Sequence, residues 1–542
     1  MKEGFRQSMA WLHTWSGLVV GWVLFFVFVT GTVGYFSAEV SRWMRPELPM
    51  SWAVTMSTED ALNKAQHYLK THAANAQSWD IKLPGGRYQP QLEVSWRERS
   101  SERSQRGRTQ QVTLDPVHGT AMSLPEVRAT GGGQLLYRMH YALHYMPIDV
   151  AIRIVGACTM LMLLAICTGV ITHKKIFKDF FTFRRGKGQR SWLDAHNIIS
   201  VASLPFFLMI TYSGFVFFLS QYMPAGLYAS YGMSQDGRQK YNSELALTNR
   251  TRATGQAATL VPLAEVARQA EDQWRREKAG AVVVRHPGDR AAVINVYGRR
   301  EGGGVIVPTA VFSGTTGEPL PQGTPGSSRL TQSALLELHQ GYFADPWLRW
   351  LYFAVSLMGC AMIATGLVLW TVKRRQKQDK RLRSGQSVEF GFRLVETLNI
   401  GTIAGLCTAV AVYFWANRLI PTGFSGRAAW EAHAMFIAWG ALLLHAAVRL
   451  RIAASRQVWQ EQLWIAAAAF GLLPALNYLT TDRHLGVTLP AGDWVLASFD
   501  LTALGLGLVF AAAACKIHRK AAATTSAHVD PVALGHERQA RA

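Results

Sequence analysis

"WLHTWSGLVVGWVLFFVFVTGTVGYF", residues 11–36, decides the fold. From Gly17 to Phe36 it carries no charged residue, and its length meets the ~20 residues a helix needs to cross a ~30 Å hydrocarbon core. The run is too long for a signal peptide and lacks a small-residue cleavage site, so it reads as a retained first span. His13 stands at its mouth, and Thr30-Gly31 follows 17 residues later. "LDAHNIISVASLPFFLMITYSGF", residues 193–215, repeats the arrangement, with His196 and then Ser213-Gly214 at the same interval.

Working outward, apolar runs lie near 15–36, 148–172, 197–219, 347–372, 395–417, 430–449, 463–480 and 495–515, in a chain that is 49% hydrophobic. The fold class expected is an all-α polytopic membrane protein of about eight transmembrane helices. Basic short segments at 173–190, 373–383 and 516–520 put those loops and both termini on the cytoplasmic side, because Lys and Arg are retained there. The net charge of +21 is then explained by orientation and anionic lipid, and no nucleic-acid motif accompanies it. Cys158, Cys167, Cys360, Cys407 and Cys515 fall in or at the ends of spans without a CxxC, which excludes a disulfide framework and leaves them as packing residues.

Two long inserts interrupt the spans. Each opens with a helical stretch (57–70 and 262–274), continues with alternating runs such as "QLEVSW" (91–96) and "AAVINVYG" (291–298), and closes with a strand and turn (112–122 and 311–320). The second and fourth spans also correspond, "HYMPIDVAIR" against "HQGYFADPWLR", each followed by Thr-Gly and a basic stop. The first four spans are therefore a duplicated bundle of span, α+β insert, span. The expected division is a first span (1–36), an insert (37–146), spans two and three with a basic loop (147–219), a second insert (220–346), span four (347–372), a basic loop (373–394), a four-helix extension (395–515) and a disordered cytoplasmic tail (516–542).

Six histidines sit at the ends of the repeat spans: His13, His173 and His196 at the cytoplasmic ends, His140, His144 and His339 at the outer ends. Ionisable groups at the membrane edge call for a partner, and neutral imidazole is a common axial ligand of haem iron held between facing helices. Bis-histidine haem b, one per cluster and two in all, is the reading favoured. A metal or proton pathway and plain interfacial capping are the alternatives, and no spacing of a dedicated zinc site occurs. His13 and His196 are the repeat-related inner pair, with His173 as rival. Outside, His144 and His339 match by their downstream Asp and Arg, and either His140 or His144 serves as ligand. The Thr-Gly and Ser-Gly pairs at 30–31, 168–169, 213–214 and 365–366 are assigned to close helix packing. Arg153 and Arg349 are assigned to local pairing with Asp149 and Asp345 rather than to haem propionates, Lys174 and Lys175 to orientation, and His433 and His445 to structure.

"YRMHYALHY" (137–145), "TGVITHKKIFKDFFTFR" (168–184), the 193–215 stretch and the His-to-Thr-Gly entry helix resemble the PepSY-associated transmembrane family, in its iron-uptake branch, over roughly residues 8 to 375. That resemblance implies PepSY-like inserts in the periplasm, residence in the bacterial inner membrane, and reduction of a ferric siderophore outside by electrons from an unidentified cytoplasmic or quinol donor. Two competing functions remain open: a membrane-anchored PepSY binding or regulatory protein without haem, and a permease for iron chelates.

Overall fold

The computed structural model describes residues 3–49, 55–99, 107–122, 126–173, 183, 184, 186, 188–246, 252–274, 277–299, 307–321 and 327–529. It forms two compact units, one from residues 1–47, 127–208 and 353–542, the other from 48–126 and 209–352. Among the described residues seven helices are long and apolar enough to cross a membrane: Gly4–Gly34, Ile148–Thr172, Pro346–Arg383, Phe390–Leu419, Arg427–Ile452, Ser455–Thr480 and Trp494–His518. A bent pair, Gln189–Ala202 and Leu204–Val216, makes an eighth span if counted as one. The expectation of a polytopic helical membrane protein holds.

The third span is not the straight helix expected at 197–219: it turns by 68° between its two halves. The cause is local. Pro205 has no N–H to continue the helical ladder and its ring crowds the preceding turn, so the first half ends at Ser203, whose carbonyl restarts the ladder by accepting Phe207 N–H at 2.8 Å. Two boundaries also differ. The basic segment expected as a loop at 373–394 is mostly helix, since span four runs on to Arg383 and the next helix begins at Phe390; a run of Lys, Arg and Gln has high helix propensity and extends the helix it follows. The last helix likewise continues to Val529 through residues expected as a disordered tail. Lys174 and Lys175 lie outside the described residues.

In the membrane unit, Phe390–Leu419 is the buried centre of the extension and packs on the two helices that follow it. The helices Ser37–Trp43 and Gly132–Ala142, placed by sequence in the first insert, belong to this unit. Polar side chains tie the extension to the repeat spans: Trp22 Nε1 donates to Asn399 Oδ1 at 2.9 Å, and Asn399 Nδ2 to the Leu367 carbonyl at 3.0 Å. Near Trp43 a buried network continues the connection. The Trp43 indole donates to Asp500, Arg418 reaches the Trp43 carbonyl, and Arg427 pairs with Glu431 at 2.5 Å with both side chains fully buried.

The second unit holds six strands, β1 (Ser78–Lys82), β2 (Leu92–Arg97), β3 (Thr109–Leu114), β4 (Ala279–Arg285), β5 (Val293–Gly298) and β6 (Thr309–Ser313), in the antiparallel order β3-β2-β1-β4-β5-β6. The two inserts therefore share one sheet, joined where Asp80 of β1 faces Val283 of β4. Alternation explains the burial: Trp79 and Ile81, Val282 and Val284, and Ile294 and Val296 point to one side. There they meet the helices Thr58–His72 and Leu263–Trp274 in one core with Leu62, Leu69, Val266 and Ala270. Ser57 starts the first of these helices by accepting Asp60 N–H at 3.1 Å.

Candidate functional site

Four of the six histidines share one setting. His13 Nδ1 lies 2.8 Å from the Ala165 carbonyl, His140 Nδ1 2.7 Å from the Val27 carbonyl, His196 Nδ1 3.0 Å from the Met362 carbonyl and His339 Nδ1 2.9 Å from the Ile210 carbonyl. Each carbonyl stands four residues before the glycine of a Thr-Gly or Ser-Gly pair. A Cβ built on that glycine would meet the same imidazole: 3.2 Å from His13 at Gly169, 2.5 Å from His140 at Gly31, 3.2 Å from His196 at Gly366 and 2.8 Å from His339 at Gly214. The missing side chain is what lets the ring reach the helix backbone. The small pairs assigned by sequence to helix packing thus have a definite occupant, a histidine ring.

A carbonyl only accepts, so Nδ1 carries the proton in all four rings and Nε2 carries the lone pair. This is the outer-sphere hydrogen bond that orients a histidine for metal ligation. The hydroxyl beside each glycine is spent locally: Thr30, Thr168, Thr365 and Ser213 donate to the carbonyls of Phe26, Leu164, Ala361 and Met209 at 2.7, 2.7, 2.8 and 2.6 Å. Burial holds His140 below its usual pKa, so its ring is neutral near pH 7.

The repeat-related pair is brought together. The rings of His13 and His196 stand 6.3 Å apart, inclined by 67°, beside a cavity of about 430 Å³ among spans one to four. Neither Nε2 has a hydrogen-bond partner among the described residues. His173 lines the same cavity, as does Trp370, its repeat counterpart. The Trp370 indole N–H and the Ser200 hydroxyl, both on the cavity, are buried without a hydrogen-bond partner among the described residues. Lys373 and Arg374 complete the lining, the guanidinium lying 3.9 Å over the Trp370 ring.

His144 does not share the setting. It follows the end of its helix in left-handed backbone, φ 60°, and its ring stacks on Phe436 at 5.4 Å. His140, not His144, is therefore the structural counterpart of His339, contrary to the match by downstream Asp and Arg. The alignment misled because three residues more separate His140 from Arg153 than His339 from Arg349. Asp345 has a role of its own, accepting Leu348 N–H at 2.8 Å at the start of span four. His433 takes the Tyr145 hydroxyl on Nδ1, and His445 Nε2 faces Glu461 at 3.4 Å. The five cysteines are free. Sequence reading missed the buried Arg427–Glu431 network; charged residues within apolar spans were its signal.

Fold and site together define a multi-pass membrane protein that presents paired, tautomer-fixed histidines between its spans. The chain belongs to the family described as the PepSY-associated TM region, whose model matches residues 10–373. It is similar to Uncharacterized protein PA4219 of Pseudomonas aeruginosa, 26% identical over 326 residues that cover 57% of this chain and 77% of the relative. The extension after residue 373 lies beyond the family match.

Proposed function

We propose that this protein is a haem-holding reductase of the bacterial inner membrane, passing electrons from a cytoplasmic or quinol donor to a ferric siderophore in the periplasm. The observation that carries the reading is the setting shared by His13, His140, His196 and His339. The His13 and His196 rings, 6.3 Å apart, would hold one haem iron between them. The cavity beside them offers the unspent donors of Trp370 and Ser200 and the cations Lys373 and Arg374, and these would suit a flat ring bearing two carboxylates. The inner cavity would suit haem b, with His13 and His196 to hold it, and His140 and His339, each within its own unit, repeat the same backbone setting.

Haem, when bound, supplies a one-electron couple whose potential the protein sets through axial ligand, burial and hydrogen bonding. The chain's own residues do the rest. Ala165, Val27, Met362 and Ile210 carbonyls hold the Nδ1 protons, raise ligand basicity and fix each ring. Leu18, Leu24 and Leu367 give the inner site apolar walls. The acceptor proposed rests on the resemblance of the entry-helix and 193–215 motifs to the iron-uptake branch: hard oxygen donors hold Fe(II) less well than Fe(III), so reduction would release iron. Pyridine extraction and a reduced-minus-oxidised spectrum of the purified protein test the reading; two b-type haems per chain are expected, and none would overturn it.

A further inference from the structure

The described residues bring a second set of metal-binding side chains together where the family core meets the extension. Leu143, His144 and Tyr145 leave the helix Gly132–Ala142 with φ of 54°, 60° and 51°. Successive left-handed residues other than glycine are strained and persist only where their surroundings impose them. Here the surroundings come from the sixth span. The His144 ring lies parallel to Phe436, the Tyr145 ring meets Phe436 edge-on at 4.9 Å, and Tyr145 lies parallel to His433 at 5.7 Å. His433 is steadied in turn by Trp430 at 5.3 Å.

Among the described residues the polar side-chain atoms of this group have no hydrogen-bond partner outside it. The Tyr145 hydroxyl and His433 Nδ1 are bonded to each other. Neither ring nitrogen of His144 has a hydrogen-bond partner among the described residues. No three His, Cys, Asp or Glu side chains gather among the described residues; in this group the third donor is a phenol. Two imidazoles and a phenolate are the mixed nitrogen and oxygen set that suits iron, nickel, copper and zinc ions.

We propose that His144, Tyr145 and His433 form a binding site for a first-row divalent metal ion. The cation replaces the hydrogen bond between the Tyr145 oxygen and His433 Nδ1, His144 supplies the third ligand, and the phenol proton leaves to solvent. The strained backbone holds His144 and Tyr145 towards the sixth span. His433 lies beyond the family match, so the extension completes the site. Its natural ion, Fe(II) released outside the membrane, rests on the reductase reading; the site itself does not.

The test uses tag-free full-length protein in detergent, stripped with a chelator and titrated calorimetrically with Zn(II), with tyrosinate absorbance followed in parallel. One equivalent is expected, with proton release and a tyrosinate difference band. His144→Gln, Tyr145→Phe and His433→Gln each weaken binding by about tenfold or more, while His118→Gln, on the soluble unit, leaves it unchanged. Binding unchanged in all three variants, or wild-type binding without the tyrosinate band, would overturn the proposal; the band needs no variant, so a misfolded substitution does not decide the matter. The titration uses neither electron donor nor chelate, so its failure leaves the reductase reading standing, and a chain without haem leaves the metal site standing.

Discussion

At the residue scale, each imidazole depends on a glycine in the neighbouring helix. A methyl group at Gly31 would sit 2.5 Å from His140 Nδ1, far inside contact distance, so Gly31→Ala must push the ring off the Val27 carbonyl. Loss of an outer-sphere partner costs about 10–100-fold in metal affinity; on the proposed haem-holding reading, Gly31→Ala should lower haem retention at His140 accordingly, read by absorbance after gel filtration, with haem at His13 and His196 unaffected. Replacing the rings themselves separates the candidates. His13→Ala and His196→Ala should each remove the inner haem, because one missing axial ligand leaves the ring poorly held. His173→Ala and His144→Ala should leave both haems in place. Low-spin absorbance measured across the four variants decides; an inner haem that survives His196→Ala would refute the pairing.

At the element scale, the fifth and sixth spans are joined by fully buried charges. Arg427 reaches Glu431, the Ile420 and Ala129 carbonyls and the Asn417 carbonyl, so its donors are met inside the protein. Removing one partner of a buried pair leaves the other charge uncompensated, at a cost of about 3–5 kcal/mol. Glu431→Ala should therefore lower the denaturation midpoint sharply, and Arg427→Met combined with Glu431→Leu should recover most of the loss; a single variant as stable as wild type would contradict this account. In the soluble unit, Asp289 plays an analogous part, accepting N–H groups from Ala291, Thr254 and Gly255. Those bonds hold its carboxyl well below the usual range, the Ala291 N–H contributing most. A depressed folded pKa stabilises above the unfolded value of about 3.9 and loses that contribution as pH falls through the folded pKa. Asp289→Asn should accordingly destabilise the unit at pH 7, with the difference from wild type shrinking under strong acid, as denaturation curves at the two pH values would report.

At the scale of the whole molecule, the spans alternate with polar segments, and basic residues cluster after the second, fourth and last of them. Lys373, Arg374, Arg375 and Arg383 lie on the cytoplasmic end of the fourth span if the positive-inside rule governs it. A phosphatase reporter fused after Arg383 should be inactive and a cytoplasmic fluorescent reporter active; the reverse result would invert the topology. The shared sheet adds a constraint on the soluble side. With β1 and β4 paired at its centre, removing residues 252–321 strips three strands and exposes β1 as an edge.

The membrane class, the apolar segments and the equal histidine-to-glycine spacings were legible along the chain. Those properties follow from hydrophobic run length and from repeated spacing, both of which are written along one chain. His13 and His196 were already a pair in the 17-residue interval to Thr30-Gly31 and Ser213-Gly214. What those glycines do was decided only in three dimensions, because the ring that fills each gap comes from another helix: His140 at Gly31 is more than a hundred residues away. The choice of His140 over His144 was likewise tertiary, since both lie near the helix end and only packing shows which imidazole finds a backbone carbonyl. The merger of two inserts into one sheet was beyond sequence pattern too, for the alternation in β1 and β4 sets which residues face the core but not which strand becomes the neighbour.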